Sequence, residues 1–180
     1  MRFGQHNDRF REVQHVSQWW VWAIVGGIAL TGWWAFIGQI VMGRPWGNRP
    51  APDAMVVLIW LVFGLGLPVA TMWMRLIIRV SGDTLYVRYV PFRKRDIPLS
   101  EIAVAETKRY HPMRDYLGWG IRWMPRKGWV YSISGDRGVQ LVFTNGRKLL
   151  LGSRKPIQLA EAIHTAGTHG NHANPSPEEA

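Results

Sequence analysis

The chain has 180 residues, of which 47% are hydrophobic and only 19% charged, with a formal net charge of +10, 11 tryptophans and no cysteine. A disulfide scaffold and any thiol-ligated metal or thiol redox site are therefore excluded. The apolar residues gather in two charge-free runs before residue 75, whereas 17 of the 22 lysines and arginines lie from Arg75 onward, a division unlike that of an ordinary soluble domain.

In chain order, a polar lead (residues 1–18) precedes the first run, residues 19–42, WWVWAIVGGIALTGWWAFIGQIVM. At ~1.5 Å rise per residue this run makes a helix of roughly 36 Å, enough to cross a hydrocarbon core of about 30 Å with some tilt. It is too long and too rich in tryptophan for the short apolar stretch of a cleaved signal peptide. The second run, residues 54–74, AMVVLIWLVFGLGLPVATMWM, is also uncharged. Backbone amides must be paired in lipid, so both runs are expected to be helices, and Pro68 is tolerated in a spanning one. The pattern predicts a transmembrane hairpin over residues 19–74.

Flanking cations set the expected orientation. Arg2, Arg9 and Arg11 lie in the lead, the connecting segment GRPWGNRPAPD holds Arg44 and Arg49, and Arg75, Arg79, Arg88, Arg93, Lys94 and Arg95 follow the second run. The excess beside the outer ends of the hairpin places both termini in the cytoplasm of a bacterial inner membrane. Trp19, Trp20, Trp22 and Trp73 then mark the inner membrane interface and Trp46 the outer one, while Trp33, Trp34 and Trp60 lie deeper. Gly26, Gly27 and Gly32, with Gly64 and Gly66, allow close helix packing, either within the hairpin or with another helix. Neither run contains an ionisable residue, which argues against a proton relay, ion pathway or voltage sensor.

From Leu76 the period changes to two. LIIRV leads through Ser81-Gly82-Asp83 into TLYVRYV, in which Leu85, Val87 and Tyr89 share one face. FRKRDIPL and EIAVAETKRY read as further strands, followed by a short strand at 121–124 within a Gly- and aromatic-rich loop, then WVYSIS and VQLVFT. Asn145-Gly146 joins VQLVFT to RKLLLG and is the strongest hairpin signal in the chain. Pro156 suits a first helical position, Ser153 is near enough to cap, and Ile157, Leu159, Ala160, Ala162 and Ile163 are spaced to cover a sheet. Residues 167–180 read as a disordered tail. The expected fold is thus a membrane α-helical hairpin plus a mainly-β domain over residues 75–166. That domain would be a small barrel or sandwich of pleckstrin-homology type, with about seven antiparallel strands closed by a C-terminal helix.

The segments WGIRWMPRKGWVYSISGDRGVQLVFTNGRKLLLGS and KPIQLAEAI, with PFRKRDIPLSEI and the lead EVQHVSQWW, resemble a family of uncharacterised bacterial two-span membrane proteins with a pleckstrin-homology-like cytoplasmic domain. The resemblance implies that fold and topology and no particular activity. The Ser81-Gly82-Asp83 turn lacks the Lys/Arg pattern with which eukaryotic pleckstrin-homology domains hold inositol lipids, so that activity is not carried over.

Two sets of residues are candidates for contact. Basic pairs recur in the domain, and Arg93, Lys94, Arg95, Lys108, Arg109, Arg126 and Lys127 are expected either to meet anionic headgroups or an acidic protein face, each cation near the surface contributing about 1 kcal/mol, or to be the ordinary positive charge of the cytoplasmic side on solvated strand edges. The pairs Arg147-Lys148 and Arg154-Lys155 belong to the same pattern. Tyr110, Arg114, Tyr116, Trp119 and Trp123 combine the types enriched at binding hot spots and suggest a partner-contacting loop, the alternative being that the aromatics fill the barrel or rest on the bilayer interface. Ser132 or Ser134 with His111 lacks any nucleophile-elbow sequence, and the histidines at 164, 169 and 172 lack companion ligands, so neither catalysis nor a metal is expected. No cofactor, nucleic acid or small-molecule substrate is indicated. The expected role is a non-enzymatic accessory or scaffolding subunit of a larger membrane complex, for example a photosynthetic or respiratory one, in contact with membrane lipids and other subunits. The alternative is an anionic-lipid-binding module at the membrane surface.

Overall fold

The computed structural model describes residues 8–45 and 50–172, the last five of these by backbone alone. Trp46, Arg49, Arg2 and the end of the tail lie outside the described residues. The chain forms two compact units, one of residues 16–74 and one in which the segment up to His15 joins the segment from Arg75 onward.

In the first unit, α1 (Trp19–Phe36) continues as a π-helical turn, Ile37–Val41; after the connection come α2 (Asp53–Ile59), a second π-helical turn, Trp60–Gly66, and α3 (Leu67–Trp73). The two continuous helices, Trp19–Val41 and Asp53–Trp73, are long and apolar enough to cross a membrane. Only 11% and 17% of their most apolar windows are buried, so neither resembles the core helix of a soluble protein. The helices meet where Gly32 faces Gly64: a Cβ added to Gly32 would lie 3.5 Å from the Gly64 backbone. Trp60 packs beside this contact, edge-on to Trp33 at 5.2 Å and stacked on Phe36 at 4.2 Å. Gly26 and Gly27 take no part, since a Cβ on either would meet nothing within 4 Å. Pro68 follows the second π-helical turn, where a widened backbone accommodates a residue that cannot donate to the helix ladder. Thr31 and Thr71 return their hydroxyls to the carbonyls of Gly27 and Leu67, at 2.9 and 2.8 Å, and Gln39 donates to Ala51 O and Asp53 Oδ1 across the connection.

The second unit is mainly β, with two sheets that do not close into a barrel. The first, in the order β1-β2-β3-β4, comprises β1 (Asp8–His15), β2 (Arg75–Ser81), β3 (Thr84–Val90) and β4 (Arg93–Pro98). The second, in the order β5-β8-β9-β7-β6, comprises β5 (Ile102–Arg109), β6 (Gly120–Met124), β7 (Gly128–Ser132), β8 (Arg137–Phe143) and β9 (Lys148–Gly152). The alternation read from sequence holds in β2 and β3, where Leu76, Ile78, Val80, Leu85, Val87 and Tyr89 are buried. A 3-10 turn, Leu99–Glu101, links the sheets, and α4 (Pro112–Tyr116) is a short helix where a loop was expected.

Four further expectations are corrected. Residues 8–15 are not part of a separate lead: β1 pairs antiparallel with β2, from Asp8↔Ser81 to His15↔Arg75. Its buried face carries Phe10, Glu12 and Gln14, so polar inward residues conceal the alternation. The strands are not all antiparallel, because the Asn145-Gly146 hairpin sets β9 against β8 and leaves the other edge of β9 for β7, which pairs parallel with it (Trp129↔Leu149). The barrel is open, with β4 and β6 each ending a sheet. Finally, α5 (Pro156–His172) continues past the expected start of the tail at 167. It buries Leu159, Ala160, Ile163 and Ala166 against strands of both sheets, while Ile157 stays exposed. Ser153 supports its start by accepting the Lys155 amide at 3.0 Å.

Candidate functional site

The cations of the β unit separate by where their strands and turns deliver them. In β4, Arg93 and Arg95 point to one side and Lys94 to the other, as strand alternation requires. Arg93 lies over the Trp129 ring at 5.4 Å and Arg95 over Phe143 at 5.8 Å. These contacts aim two guanidinium groups of the first sheet at the aromatic residues of the second.

Two hairpin ends face them. Between β6 and β7 the chain turns through Pro125, Arg126 and Lys127, with Arg126 at φ +66° and Gly128 at φ +80°. Glycine is obligatory at 128, because a Cβ there would come within 2.2 Å of the Lys148 carbonyl oxygen. That close approach seats the turn against the start of β9, where the Asn145-Gly146 turn presents Arg147 and Lys148. Gly146 donates to Phe143 O at 2.8 Å and Arg147 to the Asn145 side chain at 3.0 Å, which fixes this turn.

The result is a cleft of about 330 Å³ with Arg95, Arg126, Arg147 and Lys148 around walls formed by Trp123, Met124, Trp129 and Phe143. No carboxylate lines it. Among the described residues, none of these four cations has an acidic partner within ion-pair distance. Converging like charges without a counter-charge make a positive potential at this open cleft, where Arg126, Arg147 and Lys148 are solvent-exposed. Arg126 and Lys148 also border a second hollow of about 340 Å³, which Lys108 and Lys127 share with Glu106, Gln140 and Tyr116.

Four other cations singled out from the sequence are engaged. Lys94 pairs with Asp96 at 3.3 Å and Arg109 with Asp136 at 3.0 Å. Lys127 pairs with Asp115 at 2.9 Å and lies over Tyr116, while Lys108 donates to Gln140 at 2.6 Å. Asp115 is held below the usual carboxylate range first by the His111 backbone N–H and then by Lys127, and Asp136 chiefly by Arg109. Of the seven basic residues expected to act together, the structure thus brings Arg95, Lys108, Arg126 and Lys127 to the adjoining hollows and Arg93 to their edge. It sends Lys94 and Arg109 elsewhere. Trp129 was not expected at this site, and Arg147-Lys148 was expected only as one more pair of the basic pattern. The basic pair was visible, but only the parallel pairing of β7 with β9 brings it opposite Arg126.

The proposed contact loop is divided too. Tyr110 and Tyr116 are not surface residues: they stack edge-on at 5.9 Å inside a buried cluster with Val130 and Leu150, and burial pushes both hydroxyls up in pKa. Trp119 is half-buried and donates to Gly135 O at 2.9 Å. Arg114 and Trp123 remain exposed. Ser132 and Ser134 are buried, and Ser134 accepts from Arg154 at 3.5 Å. No group of three His, Cys, Asp or Glu side chains able to hold a metal occurs among the described residues. In the helical unit, Trp19, Trp20, Trp22 and Trp73 are all exposed, and Trp22 donates to Val16 O at 3.1 Å.

Residues 4–169 match the model of a protein family described as "Family of unknown function (DUF6141)". No curated protein matches the chain.

Proposed function

The chain belongs to this family of unknown function (DUF6141), and we propose that it is a non-enzymatic protein of the bacterial inner membrane, an accessory or scaffolding subunit whose cytoplasmic β unit makes the working contacts. The observation that carries the membrane topology in this proposal is the register His15↔Arg75. One strand runs into the first apolar helix and the other emerges from the second, and the two are hydrogen-bonded neighbours. That pairing supports a topology in which both helix ends lie on the same side of the membrane. The mostly outward-facing apolar surface of the helices favours lipid over water as their surroundings. The cations from Arg75 to Arg95 favour the cytoplasmic side. The C-terminal helix packed across two sheets supports a pleckstrin-homology-like sandwich. The burial of Ser132 and Ser134 speaks against their use as nucleophiles.

Mild-detergent purification of the full chain followed by mass spectrometry tests the subunit role: stoichiometric membrane-protein partners are expected, and a lone monomer would contradict it. The cationic cleft favours a second reading, in which the β unit itself engages anionic groups at the membrane face.

A further inference from the structure

We infer that the cleft between β4 and the two hairpin turns is a phospholipid site, in which Arg126, Arg95 and Lys148 hold the headgroup phosphate and Trp123 and Trp129 lie along the glycerol and first methylenes. This deepens the second reading above and rests on it.

The chemistry of the lining selects the ligand class. Arginine offers a planar fork of donors that matches phosphate oxygens, and lysine adds a point charge. Four cations without a carboxylate call for an anion. A small soluble ion would leave the tryptophans idle. Trp123 is 58% exposed although it sits beside the charges, which suits the amphipathic border of a lipid better than it suits water.

The backbone at Arg126 points the same way. The position after Pro125 in this turn has φ +66°, where glycine or asparagine is the favoured residue and a long side chain is disfavoured. An arginine stands there, and its side chain borders both hollows. Local backbone preference and side-chain placement are opposed, as happens at functional sites.

The site is tested on the full chain in neutral detergent, by calorimetric titration with dihexanoyl phosphatidylglycerol, dihexanoyl phosphatidylcholine, inorganic phosphate and a hepta-glutamate peptide. Phosphatidylglycerol is expected to bind and the zwitterionic lipid not to. Arg126→Asn, which suits the turn, is expected to weaken binding about tenfold, the value of one charge-assisted hydrogen bond, without lowering the unfolding temperature. Lys148→Gln should act likewise, and Lys94→Gln, outside the cleft, should change nothing. Undiminished affinity in both cleft variants, or an equal loss in Lys94→Gln, would overturn the site. Phosphatidylcholine binding as tightly as phosphatidylglycerol would overturn the charge requirement. Equal binding by inorganic phosphate would reassign the cleft to a soluble anion, and equal binding by the peptide to an acidic protein; either result overturns the lipid. Because the chain is already solubilised, failure here leaves membrane anchoring untouched, whereas recovery of the chain without detergent would fail anchoring itself.

Discussion

Glu12 joins the amino-terminal strand to the rest of the β unit. Its buried carboxylate accepts the Ser153 hydroxyl at 2.5 Å and the Arg154 amide at 2.8 Å, and two residues on, Gln14 donates to Gly152 O at 2.8 Å. Removing the acceptor while leaving buried donors costs more than the hydrogen bonds themselves contribute. Glu12→Ala is therefore expected to destabilise the chain by about 2–3 kcal/mol, read as a lower unfolding temperature in detergent, and Glu12→Gln by less because it retains an acceptor. An unchanged unfolding temperature in Glu12→Ala would remove Glu12 from this role. The same residues explain why β1 escaped a reading by period: hydrophobicity alternates along a strand only when its inward side chains are apolar, and here two of three are not. Tyr110 and Tyr116 mislead in the opposite direction. Polar-tipped aromatics beside Arg and Asp resemble an exposed contact loop, yet both rings are core.

Among the elements, the apolar helices, β2, β3 and the Asn145-Gly146 hairpin were plain in the sequence because each is set by local chemistry: absence of charge over a bilayer's length, strict alternation, and a turn that needs positive φ. The parallel β7–β9 pair was not, since strand order depends on contacts far apart in the chain, and the cleft depends on that pair. Tyr89, on the inward face of β3, is raised by burial from 10.0 to about 12. An acid whose folded value is raised contributes stability that is complete below its unfolded value and is lost as pH rises through the folded one. The unfolding temperature is thus expected to fall between about pH 10 and pH 12, and to fall less in Tyr89→Phe. Asp115 has the opposite sign. Its value is depressed, so its hold on the start of α4 is present above the ordinary carboxylate range and is lost as pH falls through the lowered value.

In the molecule as a whole, one strand pair receives both ends of a hydrophobic hairpin. Pairing His15 with Arg75 makes the strand before the first apolar helix and the strand after the second part of one β unit. On the proposed topology, charge favours the cytoplasmic side for the β unit, because the cations cluster after the second helix and are sparse in the connection. The lack of native cysteine makes the arrangement directly measurable. Single cysteines replacing Arg44, in the connection, and Lys94, in the β unit, are treated in bacterial spheroplasts with a membrane-impermeant maleimide. Labelling of Arg44→Cys in intact spheroplasts, with Lys94→Cys reacting only after lysis, is the expected result; the reverse pattern, or equal labelling of both before lysis, would contradict it.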